Sequence, residues 1–280
     1  MADRAARACE RRNRKGDNVR ERMTAADMEK LTAIVKEAGS FFENREEASR
    51  VTVKGAADYV TQVDFHVQEF IRGRLEQEWP KIQFMGEESD NSDVDINGAF
   101  WILDPVDGTT NLIHGFMHSA ISLGLCEGGQ IVCGVIYQPF TGELFSARKG
   151  HGAFLNGVPI RVSEARDMSE CLISVGTTPY EHEYADRNFE IFKKIFLDCQ
   201  DIRRIGSAAI ELAYVACGRI DAFFEMNLKP WDFAAGIILI KEAGGTVTDF
   251  EGQDPVPWRN CHILGSNEKI GEILREQYLK

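Results

Sequence analysis

No apolar run in this 280-residue chain approaches the roughly 20 residues needed to span a bilayer, so no membrane partner is expected. Its seven cysteines (Cys9, Cys126, Cys133, Cys171, Cys199, Cys217, Cys261) include no CxxC pair. That scatter argues against both a zinc site and a disulfide framework, and a reducing, cytoplasmic setting is expected. There is no GxSxG elbow, no GxxxxGK[ST] phosphate loop and no HExxH zinc helix, which removes three large enzyme classes from consideration. Basic charge is also in deficit, with 32 Lys and Arg against 44 Asp and Glu and a net charge of −12. Such a balance disfavours nucleic acid as a general partner. Internal repeats and low-complexity linkers are missing as well.

The charge is unevenly spread. Residues 1–22 hold eight Arg or Lys and four Asp or Glu, a net of +4, which leaves −16 on the remainder of the overall −12. This arm has no aromatics and no periodic face, so it reads as a disordered extension ahead of a protein that opens near Met23. The alternative is a nucleic-acid or membrane tether, through which residues 1–22 would be the one route to nucleic acid.

From Thr24, apolar residues Met28, Leu31, Ile34, Val35 and Ala38 recur at helical spacing, with Thr24 as the cap. Val67, Phe70, Ile71 and Leu75 mark a second helix after Asp64, and the polar stretch with Lys54 and Asp58 between them reads as a loop or short hairpin. Apolar runs at Phe100–Leu103, Ser119–Cys126, Ile131–Tyr137 and Glu143–Ala147 predict strands, the last three a meander. The second half predicts a strand near Leu172–Val175, helices over Ala185–Cys199 and Ser207–Ala216, and a strand over Ile220–Glu225. A helix over Phe233–Ala243 and strands at Val247 and Ile263 complete it. This is an α/β chain of layered helices and sheets. It is expected to form one domain over residues 23–280, with two packed subdomains of about 23–160 and 161–280.

The densest chemistry lies in Trp101–Gly115. Pro105 has no N–H to donate, so the chain is expected to leave the ladder right after Asp104 and to turn. Asp104 and Asp107 would then share one turn, where their like charges repel unless a cation lies between them. Gly108 permits close backbone approach, and Thr109 and Thr110 can open a helix whose free N–H groups face an anion. Glu87–Glu88 and Asp232 are the other hard-metal candidates. Each carboxylate also has a plain structural reading: a solvated pair for Glu87–Glu88, a turn for Asp107, a helix N-cap for Asp232. Their convergence at strand ends and helix starts is what would favour a metal.

Rival patterns fare worse. Asp93, Asp95, Asn97 and Asp104 approach the spacing of an EF-hand, but Pro105 and Gly108 bar the helix that must leave such a loop. His114 and His118 read as turn or packing residues, and Gly150–Gly157 as a hairpin turn rather than a dinucleotide loop.

Gly86-Glu87-Glu88-Ser89, Trp101-Ile102-Leu103-Asp104-Pro105-Val106-Asp107-Gly108-Thr109-Thr110-Asn111 and Trp231-Asp232-Phe233-Ala234-Ala235-Gly236 resemble, in order and spacing, the inositol monophosphatase family. The resemblance covers about residues 24–275. It implies an αβαβα sandwich, a lithium-sensitive, Mg²⁺-dependent phosphomonoesterase with two or three Mg²⁺ per site, and a homodimer. By the same resemblance Glu87, Asp104 and the Val106 carbonyl would hold one Mg²⁺, and Asp104, Asp107 and Asp232 a second. Glu87 and Thr109 would hold the water that attacks phosphorus in line, and Asp64, bonded to Thr109, would orient it and take its proton. Asp64 also reads as a helix cap. The substrate, a small phosphate monoester, would meet Asp107, Gly108, Thr109, Thr110 and Asp232 at its phosphate and Gly206, Ser207, Ala208 and Glu225 at its alcohol. Glu225 has a competing reading as a rim carboxylate paired with Lys229. Lys54 falls out of step with the animal enzymes and receives no role. Inositol 1-phosphate or a similar polyol or sugar phosphate is the expected substrate, with fructose 1,6-bisphosphate, adenosine 3′,5′-bisphosphate and NADP as alternatives. From another class, the alternative is a regulatory protein that binds RNA or the transcription machinery.

Overall fold

The computed structural model describes residues 23–55 and 58–280, so the basic arm of residues 1–22 and both readings of it lie outside the described residues. Helix α1 (Ala25–Ala38) opens on a capping box: Asp27 N–H donates to the Thr24 hydroxyl oxygen, and Thr24 N–H donates to Asp27 at 2.8 Å. It buries Leu31, Ile34, Val35 and Ala38. Strands β1 (Val51–Gly55) and β2 (Asp58–Thr61) pair antiparallel, which settles the polar stretch as a hairpin. Helix α2 (Gln62–Glu78) follows with Thr61 as its cap, so Asp64 is its third residue rather than the cap read from sequence.

Strand β3 (Gln83–Gly86) runs parallel to β4 (Ala99–Asp107), after which comes the short helix α3 (Thr109–His114). Strands β5 (Ala120–Glu127), β6 (Gln130–Gln138), β7 (Glu143–Arg148), β8 (Ala153–Leu155) and β9 (Val158–Pro159) extend the sheet as an antiparallel meander. A two-residue turn with Asn156 at φ 49° and Gly157 at φ 79° joins β8 to β9, as Asn-Gly in a tight hairpin should. One expectation fails at Pro105. The ladder does not end after Asp104; the register slips there and pairing resumes at Asp107 opposite Ala120. A bulge tolerates proline because the extra residue has no ladder partner to serve. The EF-hand alternative is disposed of by β4 itself, a strand where that motif needs a helix.

The second sheet comprises β10 (Leu172–Val175), β11 (Asp201–Arg203), β12 (Ala222–Leu228), β13 (Thr246–Thr248) and β14 (Cys261–Ser266), in the order β11-β10-β12-β14-β13. Helices α4 (Ala185–Asp198), α5 (Ala208–Ala216) and α6 (Pro230–Glu242) are threaded between these strands, and α7 (Glu268–Gln277) follows the last of them. Three buried clusters define the layers. One joins α1 and α2 to the seven-stranded sheet, a second joins α5 and α6 to both sheets, and a third joins α4 and α7 to the outer face of the five-stranded sheet. Trp101 and Leu103 of β4 face the first, while Phe100 and Ile102 face the second. The result is an αβαβα sandwich. Among the described residues no helix is long and apolar enough to cross a membrane.

The run Ala234-Ala235-Gly236 serves packing. A side chain at Gly124 would come within 3.2 Å of Ala234 Cβ, and one at Gly134 within 2.7 Å of Ile238 Cγ2 and 3.0 Å of Ala235 Cα. Helix α6 therefore lies unusually close on the seven-stranded sheet. Gly134→Leu should push it off, at a cost of about 1–3 kcal/mol for overpacking or more where backbone must move. At roughly 2–4 °C per kcal/mol, thermal unfolding followed by circular dichroism should show a fall of several degrees. An unchanged midpoint would mean that the helix is free to shift.

Candidate active site

Three elements end at one point. Strand β4 brings Asp104 and Asp107, the first turn of α6 brings Asp232, and their carboxylate oxygens lie within 4.8 Å of one another. Asp104 and Asp107 are buried. The Glu87 carboxyl, just past β3, lies close enough for its charge and that of Asp104 to act on one another. Burial, reinforced by the neighbouring carboxylates, pushes Asp104 and Asp232 well above the usual carboxylate range. Glu87 is raised to about 8, chiefly by burial, against the pull of Lys54. Asp107 rises to about 6 by burial, although hydrogen bonds from Ser207 and Ala209 hold it down. An all-oxygen, buried and mutually repelling set is the chemistry of a hard-cation site, so the residues fit a metal ion.

Hydrogen bonds, local at Asp104 and Asp232 and long-range at Asp107, hold the cluster. Asp104 Oδ1 accepts Val106 N–H at 2.9 Å, so the bulge's one free donor stays satisfied. Asp107 Oδ2 accepts the Ser207 hydroxyl and the Ala209 N–H at 2.7 Å, at the start of α5. Asp232 is the third residue of α6, not its N-cap, because Pro230 at the first helical position moves the cap back to Lys229. Its Oδ2 accepts the Lys229 N–H at 2.7 Å. Asp64 divides its oxygens: Oδ2 accepts Thr61 N–H and Oγ1–H, while Oδ1 lies 3.1 Å from Thr109 Oγ1. Burial lifts Asp64 to about 6. The Thr109 hydroxyl has a second acceptor in the Val106 carbonyl at 3.0 Å, and one hydrogen can serve only one of them fully.

Beside the cluster opens a cleft of about 630 Å³, whose lining includes Asp107, Gly108, Thr109, Thr110, Gly206 and Ala208. Gly108 takes φ 89° as the cap of α3, a conformation that glycine adopts at no steric cost. Glu225 and Asp232 also line the cleft, whereas the Ser207 side chain is buried and engaged with Asp107. Glu225 is raised by burial; its Oε1 accepts Thr178 N–H at 2.8 Å, and Arg204, not Lys229, is the cation that acts on it. Thr178, buried, sits at φ 49°, a strained position for a β-branched residue, next to the cleft wall. His114 lies on the cleft rim and His118 stacks on Phe116, with centroids 4.7 Å apart.

Residues that the sequence left without a role stand here too. Lys54 bonds Glu88 and reaches to 3.9 Å from Glu87 Oε1. The Asn111 amide holds the carbonyls of His118, Ile205 and Gly206, at 2.7, 3.0 and 3.3 Å. Glu211, wholly buried and raised to about 8 by burial, holds Ile205 N–H at 2.8 Å and the Ser174 hydroxyl. Asn111 closes the quoted motif without a role there, and nothing in the sequence marks Glu211, because helical periodicity gives a buried polar residue the same signal as a surface one.

A layered αβαβα sandwich with a carboxylate cluster where strand β4 meets helix α6 has the donors of a hard-cation site, and comparison with known proteins specifies the family. The model of the inositol monophosphatase family matches residues 19–279, so the chain belongs to the inositol monophosphatase family. It is 41% identical over 227 residues to the inositol-1-monophosphatase of Rhizobium meliloti, covering 81% of this chain and 85% of that one. It is 42% identical over 206 residues to the Nus factor SuhB of Escherichia coli K12, covering 74% and 77%. The crystal structure of the extragenic suppressor protein suhB from Bartonella henselae superposes with a TM-score of 0.84 at 38% identity, over 91% of this chain and 99% of that one.

Proposed function

We propose that the protein is a Mg²⁺-dependent phosphomonoesterase acting on inositol 1-phosphate or a similar polyol or sugar phosphate. The observation that carries this reading is the meeting of Asp104, Asp107 and Asp232 within 4.8 Å beside the Thr109–Asp64 hydrogen bond, at the wall of a cleft. Glu87, Asp104 and the Val106 carbonyl would hold one Mg²⁺ and Asp104, Asp107 and Asp232 another, of two or three in all. When bound, the cations would neutralise charge gathering on the phosphate oxygens and acidify a neighbouring water. Thr109 accepts a hydrogen bond from the attacking water and donates its own hydrogen to Asp64 Oδ1. Asp64, with a pKa of about 6, is well matched to receive a proton near neutrality. The N–H groups at Gly108–Thr110 face the phosphate, and Gly206, Ala208 and Glu225 face the alcohol, Glu225 through its second oxygen. Ser207 acts through its hold on Asp107.

Phosphate release from inositol 1-phosphate, fructose 1,6-bisphosphate, adenosine 3′,5′-bisphosphate and NADP, with and without Mg²⁺, tests and ranks these substrates. No Mg²⁺-dependent release from any would overturn the reading. A homodimer, as the family resemblance implies, in the cytoplasm, as the scattered cysteines suggest, completes it. The Nus factor SuhB name of the Escherichia coli relative favours a second reading, in which the chain also binds RNA or the transcription machinery through residues 1–22. Removing that arm should then abolish a steeply salt-dependent binding and spare turnover.

A further inference from the structure

Asp104 and Asp107 are carried by one strand, but Asp232 comes from a helix of another layer, and the bond that holds its carboxylate, from Lys229 N–H, travels with that helix. Something else must fix how far the helix start stands from the strand. Ser122, buried on β5 directly opposite Asp104, donates its hydroxyl to the Trp231 carbonyl at 3.0 Å, one residue before Asp232. We propose that Ser122 is a positioning residue for the cluster: by fixing the first turn of α6 against β5 it sets the separation of Asp104 and Asp232, and with it the affinity of the cation that these two carboxylates would share. The inference rests on the phosphatase reading and names a further residue behind its metal site.

Three observations support the assignment. First, the register is direct. Residues opposite one another in an antiparallel ladder point their side chains to the same face about 5 Å apart, so Ser122 reaches α6 from beside Asp104. Second, the surroundings bring the helix close without fixing where it stops. A Cβ at Gly124, two residues along β5 on the same face, would lie 3.2 Å from Ala234 Cβ, and one at Gly134 on β6 would lie 3.0 Å from Ala235 Cα. Such a smooth seam of Gly and Ala permits sliding, whereas a hydrogen bond is confined to a narrow range of distance and angle. A carbonyl has two lone pairs, so the Ser122 bond adds to the helix's own bond at Trp231 rather than replacing it. Third, the other two carboxylates have anchors of their own, Asp104 in the bulge through Val106 N–H and Asp107 on α5 through Ser207 and Ala209. At the α6 end that anchoring falls to a backbone carbonyl, and Ser122 is what it meets. Mg²⁺ demands near-ideal octahedral geometry with oxygens at about 2.1 Å, so even a small shift between Asp104 and Asp232 would weaken its binding.

The test compares the wild type, Ser122→Ala, Asp232→Asn and the double variant by titration calorimetry with Mg²⁺ alone, alongside melting in EDTA and phosphate release from inositol 1-phosphate over a range of Mg²⁺. Alanine fills the same place in the strand and removes only the hydroxyl. For Ser122→Ala the expected result is a Kd raised about 10-fold or more at the Mg²⁺ site that Asp232→Asn abolishes, with melting in EDTA little changed. Turnover should recover as Mg²⁺ saturates, with KM for the ester unmoved. Because Ser122 acts through Asp232, adding Ser122→Ala to Asp232→Asn should change Mg²⁺ binding no further; a further loss as large as in the single variant would overturn the inference. A Ser122→Ala protein that binds Mg²⁺ as the wild type does, whether or not it melts lower in EDTA, also overturns it and leaves the phosphatase reading standing. If the wild type binds Mg²⁺ and Ser122→Ala loses that affinity, yet neither releases phosphate, the phosphatase reading falls and the role of Ser122 stands. A wild type that binds no Mg²⁺ overturns both.

Discussion

Asp104→Asn is expected to lower kcat by about 10³-fold or more, equivalent to roughly 4 kcal/mol of lost transition-state stabilisation, while the folded protein keeps its stability or gains some. The substitution preserves shape, and the Asn oxygen still accepts the Val106 N–H that Asp104 Oδ1 now accepts at 2.9 Å. What it removes is the charge that both proposed cation sites share. The same charge is a burden to the metal-free fold, because Glu87, Asp107 and Asp232 all act to raise Asp104. A variant that is inactive yet melts no lower than the wild type in EDTA would show that the cluster is kept for chemistry at the expense of stability. Near-normal turnover would remove Asp104 from the mechanism. Alanine would confound the experiment, since it would also orphan the bulge.

The second large effect is a crossing of pH and magnesium. In the metal-free protein Glu87 titrates at about 8 and Asp64 and Asp107 at about 6, whereas in the unfolded chain they titrate near 4. Between those limits the folded state holds more protons than the unfolded one, so stability must fall as pH rises from about 4 to 8. Glu211, raised to about 8 behind the cleft, contributes in the same direction. Cation binding runs the other way, because the ligands must first lose their protons and affinity therefore grows with pH. At a Mg²⁺ concentration about 100 times Kd the gain is roughly 2.7 kcal/mol, a rise in Tm of about 5 °C or more. Differential scanning calorimetry from pH 5 to 8 should show Tm falling in EDTA, and a magnesium-dependent increment that is small at pH 5 and largest at pH 8. An increment that shrinks with pH would contradict a carboxylate site.

Much of the site could be read from the chain because its information is local. Trp101–Gly115 packs a strand, two carboxylates and a helix start into a few residues, and the structure keeps them adjacent. The layers followed from periodicity, since strands such as β5 and β6 are long and apolar. Strand β11 and helix α7 escaped the sequence reading, the one for its three-residue length and the other for a run rich in charge, with Ile270 and Leu274 the large apolar residues on its buried stripe. What could not be read was the long-range hydrogen bonding. Nothing near Ser207 announces that its hydroxyl serves Asp107, 100 residues earlier, and nothing near Thr178 announces that Glu225 holds it in a strained conformation. Those contacts depend on where the second sheet sits against the first, which no local pattern encodes.

The bulge at Pro105 has a consequence in pleat parity. Side chains in a regular strand alternate faces, so positions three apart, such as 104 and 107, should point in opposite directions. The slip of register absorbs one residue: Val106 joins Trp101 and Leu103 on the α1–α2 side, and Asp107 emerges beside Asp104 on the α5–α6 side. The two carboxylates can thus face one cation only because the strand miscounts by one. The spacing of this segment is therefore less tolerant of an inserted or deleted residue than of most substitutions, since every residue beyond the edit would swap faces and carry Asp107 to the wrong side of the sheet.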